Sequence, residues 1–231
     1  MIKIVTCLYV LCLCLPARVY AACGEQLEGI LADLASEEQA IRATEQAVRT
    51  AKADFLSRDA ALREKMTNPP AGYDQSLGHR LVELRRTEVE PKRAILERLR
   101  TQHEEGRQQW ERGRQLLRSQ FVEARTALQE QRIDQDEYCR VREAYVQALR
   151  MYLDGMRGYR TGMDFYAKAL TAYGERFLLP YTQGFSDREQ WVTLIRQLER
   201  GDFLQDLLVP MTANAVRSAP PDAPPESEGN R

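Results

Sequence analysis

The feature that most constrains the fold of this chain is a row of tyrosines that recurs every seventh residue. Seven residues make two turns of an α-helix, so these side chains share one face. A large apolar residue stands four positions after each tyrosine from Tyr145 onward, which completes a 4-3 heptad pattern. The pattern predicts a long helix with its rings in the core and its hydroxyls at the edge; the alternative is a tyrosine-methionine groove for a hydrophobic ligand or redox chemistry. The row comprises Tyr138, Tyr145, Tyr152, Tyr159, Tyr166 and Tyr173.

Two further stretches carry helical periodicity. Residues 24–66 place apolar side chains seven apart, and residues 76–132 space them mostly by threes and fours. Pro91 should kink the second stretch because its ring displaces the carbonyl group four residues earlier. Turns are expected at 67–72 and at 133–137, where Asp134 and Glu137 resemble a capping box.

Three long helices joined by short turns must run up, down and up. The chain is therefore predicted to be all-α, with residues 22–179 forming an elongated, coiled-coil-like antiparallel three-helix bundle. Folding the second and third helices about residue 133 pairs positions that sum to about 266. In this register Gly106 and Gly113 each lie one residue from a tyrosine, which predicts that they make room for its ring.

The composition changes after Pro180, where residues 180–217 are predicted to form an end cap of two short helices. The first is expected to begin at a capping box at Ser186 and to end at Gly201. The second should begin after Asp202 and stop at Pro210, since proline disrupts a helix interior. Residues 218–231, rich in proline and acids, are predicted to be a disordered tail.

The N-terminus predicts export. A short basic start at Lys3, an apolar run over residues 4–15, and Val19 and Ala21 at positions −3 and −1 of a cleavage site are typical of a signal peptide over residues 1–21. The run is too short to span a bilayer. We therefore expect cleavage after Ala21 and a mature protein in the periplasm or outside the cell, with no transmembrane segment.

Cys23 and Cys139 are the two cysteines that the mature chain would keep. In an up-down-up arrangement the first and third helices begin at the same end, so these cysteines are predicted to form a disulfide, which persists in oxidising compartments. The alternative is a lipid anchor on Cys23, because Ala21-Ala22-Cys23 matches half of a bacterial lipobox.

The sequence contains none of the common catalytic or cofactor motifs. Two histidines and the small number of cysteines are a poor supply of metal ligands, so no catalytic residue, metal site or cofactor is predicted. The 33 basic and 34 acidic residues nearly cancel, which argues against nucleic acid as a partner.

These observations favour a non-catalytic helical scaffold or adaptor subunit of a cell-envelope assembly, of a secretion or conjugation type. In architecture it resembles the minor pilus-tip subunits of type IV secretion systems, a likeness of shape alone. The alternative is a periplasmic chaperone or secretion accessory protein that grips unfolded clients. The partners would be envelope proteins, and a second copy of the chain could complete the tyrosine core. The large apolar residues of the end cap are predicted to bind a partner, and the alternative is that they are buried against the bundle. These residues are Trp191, Phe203, Leu207, Leu208 and Met211.

Overall fold

The computed structural model describes residues 26–220 of the chain, and within that range it contains helices and no strands. The all-α prediction is therefore confirmed. Two short π-helical segments, Arg85–Val89 and Gly174–Leu178, interrupt otherwise continuous helices. The α-helices are α1 (Gln26–Thr67), α2 (Gln75–Leu84), α3 (Glu90–Gln129), α4 (Gln135–Tyr173), α5 (Leu179–Gly184), α6 (Arg188–Glu199) and α7 (Gln205–Ser218).

The turns between the long helices follow local side-chain chemistry. Gly72 adopts a φ of 88°, a left-handed conformation that glycine takes at little cost, between α1 and α2. Asp74 then caps α2 by accepting hydrogen bonds from the amides of Ser76 and Leu77. Asp134 caps α4 and accepts from the amide of Glu137, as the sequence indicates.

Two prolines inside helical structure each follow a π-helical segment. Pro91 and Pro180 each stand two residues beyond the end of such a segment, and the helix continues through both. Proline donates no backbone hydrogen bond and its ring crowds the carbonyl group four residues earlier. The wider π turn, in which Glu90 donates to the carbonyl oxygen of Arg85, accommodates this defect without ending the helix. Beyond Pro180 the helical structure continues as a short helix to Gly184.

Helix α4 packs against both α1 and α3, whereas the backbones of α1 and α3 stay apart. Arg107 on α3 contacts Tyr159 on α4, and Arg114 contacts Tyr152, so that the two helices run in opposite directions. The two residue numbers of each pair sum to 266, as predicted for helices folded back about residue 133. Phe121 and Tyr145 obey the same sum, and their rings stack with centroids 4.7 Å apart.

Helices α1 and α4 run in the same direction. Arg114 binds both Glu38 of α1 and Tyr152 of α4, and Glu45 of α1 accepts a hydrogen bond from Tyr159 of α4. In both pairs the residue number on α4 exceeds that on α1 by 114, so the two helices run parallel. Every tyrosine of the row is buried in the core between the helices, with an exposed fraction of at most 8%. The row is therefore a core element, and the groove alternative is not favoured.

The short C-terminal helices differ from their predicted bounds. Asp187, one residue after Ser186, caps α6 by accepting from the amide of Glu189. Helix α7 starts at Gln205, behind Leu204 in a left-handed conformation with φ 58°, and it runs to Ser218 with Pro210 inside it. The predicted stop at Pro210 was wrong.

The end cap is held at the α1–α2 turn, and α7 extends away from it. Arg188 of α6 pairs with Asp74 at 3.0 Å. Helix α7 packs on α3 and α4, where Asn214 donates to the carbonyl oxygen of Gly158 at 2.8 Å. Thus α6 covers the end of the long helices, whereas α7 lies along them.

Across residues 26–220, we find no helix that combines the length and the apolar character needed to cross a membrane. The predicted signal peptide, its cleavage site, Cys23 and nearly all of the predicted tail lie outside the described residues.

Candidate functional site

The most regular polar feature of the structure is a set of Glu–Arg–Tyr bridges that link all three long helices. In the first, Arg107 of α3 donates to Glu45 of α1 and, at 3.3 Å, to the hydroxyl of Tyr159 on α4. Its guanidinium also lies 4.9 Å from the centroid of the Tyr159 ring. The arginine therefore joins one helix by charge and the other by hydrogen bonding and a cation–π contact.

The second bridge repeats the first one heptad away. Arg114 donates to Glu38 at 3.0 Å and to the hydroxyl of Tyr152 at 3.4 Å. Its guanidinium again lies 4.9 Å from the ring centroid. Since α1 and α3 do not pack backbone to backbone, these long side chains supply the connection between them.

The next heptad contains a related contact confined to α3 and α4. Tyr166 donates to Glu97 at 2.8 Å, and Arg100 lies 5.8 Å from the ring centroid while pairing with Glu97 and Glu104. Three arginines of α3, each seven residues from the next, thus contact three successive tyrosines of α4, and the two residue numbers of each pair sum to 266. The pairs are Arg100 with Tyr166, Arg107 with Tyr159, and Arg114 with Tyr152. The sequence shows this seven-residue spacing, and the structure matches each arginine to its tyrosine.

The environment of these bridges shifts several pKa values. Burial raises the pKa of Tyr166, and the hydrogen bond to the Glu97 carboxylate raises it further. Burial opposes the charged form of Arg107, but bonds to Tyr159, Glu111 and Glu45 outweigh it and raise its pKa. Tyr166 therefore stays neutral and Arg107 stays charged at neutral pH, so each acts in its bridge as a hydrogen-bond partner.

Glycines on α4 receive large rings from α3. A Cβ atom at Gly155 would overlap the indole of Trp110, and a Cβ atom at Gly162 would overlap the imidazole of His103. Trp110 packs against the core cluster that contains Met156. Each glycine thus allows α3 and α4 to approach with a ring between them.

The predicted role of Gly106 and Gly113 was wrong. A Cβ atom at Gly113 would meet nothing within 4 Å, and one at Gly106 would meet only the Pro220 side chain at 3.7 Å. The pairing of glycine with a ring exists, but the glycines belong to α4 and the rings to α3. The signal was present in the sequence, because Gly155 and Gly162 are seven apart, as are His103 and Trp110.

His103 is buried and its Nε2 atom has no hydrogen-bond partner within the described part of the chain. Burial lowers the pKa of this imidazole, so it is neutral at pH 7. The ring fills the space above Gly162, which makes it a packing residue, as expected for a single histidine on the core face of a helix.

A groove of about 560 Å³ lies beside Trp110, between α3 and the C-terminal half of α7. Trp110 donates from its indole nitrogen to the carbonyl oxygen of Ser218 at 3.2 Å and so holds the end of α7 in place. The lining mixes polar side chains such as Gln102 and Glu105 with apolar ones such as Val216. Nothing in this lining resembles a catalytic arrangement.

The structure places the five predicted partner-binding residues in the end cap, and it buries all except Leu207, which is partly buried. Trp191 donates to the carbonyl oxygen of Tyr181 at 2.7 Å and packs against the rings of Tyr73 and Phe185. This burial supports the alternative that these residues stabilise the end of the long helices. Partner binding through them stays a prediction. The five residues are Trp191, Phe203, Leu207, Leu208 and Met211.

Cys139 lies half-buried in the first turns of α4, whereas Cys23 lies outside the described residues. Extending the α1–α4 offset to the first residue of α1 places Gln26 level with Arg140, next to Cys139. This register is compatible with the predicted disulfide, which stays a prediction. Residues 26–220 contain no cluster of three or more metal-ligating side chains.

Comparisons with known proteins give no further identification: no family model, no curated protein and no solved structure matches the chain.

Proposed function

We propose that this protein is an exported, non-catalytic helical scaffold or adaptor subunit of a cell-envelope assembly. The observation that carries the proposal is the repeated Glu–Arg–Tyr bridge. It connects α1 to α4 through an arginine of α3 at two consecutive heptads, and the tyrosine row continues the core in both directions. Such an arrangement resists bending and sliding of the helices, which is useful in a spacer or adaptor.

In this proposal the fold is an elongated antiparallel three-helix bundle. The helical chain from α4 through α5 measures about 75 Å at 1.5 Å per residue. The bridges act at its middle, and the aromatic cluster of Trp191, Tyr181 and Phe185 closes one end. A rod of this length can hold two partners apart and contact each at an end.

The core supports a scaffold better than a chaperone that opens to grip unfolded clients. A chaperone that opens in this way needs loose packing, for which the glycines and methionines of α4 are the natural positions. Gly155 and Gly162 are instead filled by Trp110 and His103, and Met156 and Met163 are buried. Opening α3 from α4 would expose these rings and break the arginine bridges.

The proposed location is the periplasm or the extracellular space, after cleavage behind Ala21, with a disulfide between Cys23 and Cys139. The lipid anchor on Cys23 is the competing arrangement and would place the rod on a membrane face. The proposed partners are other envelope proteins, including a second copy of the chain.

The test is the native size of the protein in envelope extracts from its source cells. Blue-native electrophoresis and size-exclusion chromatography, followed by immunodetection, should place it in a large complex with fixed stoichiometry. A protein that runs alone as a monomer would count against the adaptor role. Suppression of client aggregation by the purified protein at near-equal stoichiometry would favour the chaperone instead.

A further inference from the structure

A second cleft, on the side of the molecule where α1 faces α3, contains four arginines. It has a volume of about 350 Å³, and its arginines come from both helices: Arg42 from α1, and Arg107, Arg114 and Arg118 from α3. We call it the arginine cleft. Ile41, Tyr152 and Met156 provide its apolar lining.

Two of the arginines are held in position and keep unused donors. Arg114 donates to Glu38 and Tyr152 through Nη1, which leaves Nε and Nη2 without an acceptor among residues 26–220. Arg107 uses Nε and Nη1 for Glu111, Glu45 and Tyr159, which leaves Nη2 without one in the same range. A guanidinium carries five N–H groups, so each of these side chains can bind an additional anion without releasing its carboxylate.

The other two arginines have no acidic partner within the described part of the chain. Arg42 and Arg118 are exposed, and they make neither an ion pair nor a hydrogen bond there. By the α1–α3 pairing of Glu38 with Arg114, Arg118 lies near the level of Leu34, two helical turns or about 12 Å from Arg42. The two free cations therefore approach the cleft from opposite helices and from different levels.

The charges of the cleft favour an anion that can reach several arginines at once. The lining contains four arginines and three glutamates, Glu38, Glu45 and Glu111, so the cleft has a net positive charge although the whole chain has a net charge of −1. A phosphate group offers several acceptor oxygens that match the planar guanidinium fork. A single carboxylate would engage only one of the two free arginines.

We propose that the arginine cleft binds a ligand with two or more phosphate groups, recognised by the unused donors of Arg107 and Arg114 and by the free side chains of Arg42 and Arg118. The apolar lining by Ile41 and Met156 suits a ligand whose phosphates are attached to a carbon skeleton. The same chemistry is found in a soluble diphosphate and in the headgroups of a phosphorylated lipid surface. This inference does not depend on the proposed scaffold role.

The test uses the full mature chain and the double variant Arg42→Gln/Arg118→Gln. Isothermal titration calorimetry with pyrophosphate at low ionic strength should detect binding to the wild type. The variant should bind roughly tenfold more weakly or worse, the scale expected for losing two charge-assisted contacts. Both arginines are exposed and unpaired within residues 26–220, so the variant should retain its helical circular dichroism and its melting temperature.

The matched control removes two exposed arginines elsewhere, in the variant Arg112→Gln/Arg196→Gln. It should bind pyrophosphate within about twofold of the wild type, since it loses the same charge but not the cleft. Absence of binding to the wild type, or equal weakening in both double variants, would overturn the proposal.

Co-sedimentation with vesicles separates the two sources of phosphate. Capture by phosphatidate vesicles but not by phosphatidylcholine vesicles, lost in Arg42→Gln/Arg118→Gln, would support the cleft and assign a lipid headgroup. Pyrophosphate binding without such capture would support it and assign a soluble ligand. Vesicle capture that both double variants keep would contradict the proposal, because the cleft would not be the binding surface.

Discussion

At Gly155 the absence of a Cβ atom decides how closely α3 and α4 can pack. The absence of a side chain there lets the indole of Trp110 lie against α4, and Gly162 does the same for His103. Glycine in a helix interior costs about 1 kcal/mol relative to alanine, so its presence there needs a compensating contact. At Gly155 and Gly162 that contact is a ring from the neighbouring helix.

The first prediction compares Gly155→Ala with Gly113→Ala. Alanine at Gly155 would overlap the Trp110 ring and should lower the free energy of unfolding by about 1–3 kcal/mol. Alanine at Gly113 has open space and should raise it by about 0.5–1 kcal/mol through higher helix propensity. Urea unfolding followed by circular dichroism measures both. If both variants shift stability in the same direction, the assignment of ring space to Gly155 is wrong.

The second prediction concerns His103 and pH. Burial lowers its pKa in the folded state, so below about pH 6.5 the unfolded chain binds a proton that the folded chain does not. Stability should therefore fall as pH is lowered through this range and be fully present above it. The difference in unfolding free energy between pH 7.5 and pH 5 should shrink in His103→Gln.

The control is the other histidine, His79, which is exposed on α2. His79→Gln should keep the pH dependence of the wild type. An unchanged pH dependence in His103→Gln would show that the imidazole does not oppose protonation in the folded state.

The tyrosine row was the part of the residue pattern that could be predicted. A strict heptad of large side chains forces one face into a core, and burial of all six tyrosines follows. The role of Gly106 and Gly113 could not be assigned correctly, because a register accurate to about one residue does not say which of two facing helices contributes the glycine.

At the scale of elements, the helices themselves were predictable and their interruptions were not. Periodicity and capping residues give both ends of α1 and the start of α4 to within about two residues. Proline indicates a defect at Pro91 and Pro180 but does not say whether the helix ends, kinks or widens. Here a π-helical segment precedes each proline and the helix continues.

The third prediction concerns the bridges between elements. A double-mutant cycle on Glu45→Gln and Arg107→Met should give a coupling energy of about 1 kcal/mol or more, since this half-buried pair also engages Tyr159. The same cycle on Asp54→Asn and Arg58→Met, a more exposed pair within α1, should give about 0.3–0.5 kcal/mol. Thermal or urea unfolding of the single and double variants supplies the energies. Equal coupling in both pairs would remove the argument that the bridges fix α1 on α3 and α4.

At the scale of the whole molecule, the register of the two fold-backs follows from a few matched contacts. Positions of α3 and α4 sum to 266, and positions of α1 and α4 differ by 114. The first relation was predictable from the turn at residue 133. The course of α7 was not, because its contact with Trp110 and Gly158 depends on backbone atoms that leave no hydrophobic pattern in the sequence.

The arginine cleft was also invisible in the sequence for a physical reason. Acidic and basic residues nearly balance when α1 and α3 are taken together, so the sequence shows no basic cluster there. Only the three-dimensional register shows that Arg42 and Arg118 remain without acids within residues 26–220, while Arg107 and Arg114 are fixed between them.

The central claim is that the chain is exported and folds twice on itself so that α1 and α4 begin at the same end. Intact mass spectrometry of the protein purified from its source cells, with and without reductant, tests it most directly. We predict an N-terminus at Ala22 and a mass that rises by about two hydrogens on reduction, with Cys23 and Cys139 recovered in one cross-linked peptide from the unreduced protein. A mass that retains residues 1–21, or Cys23 carrying a diacylglycerol thioether, would contradict this account.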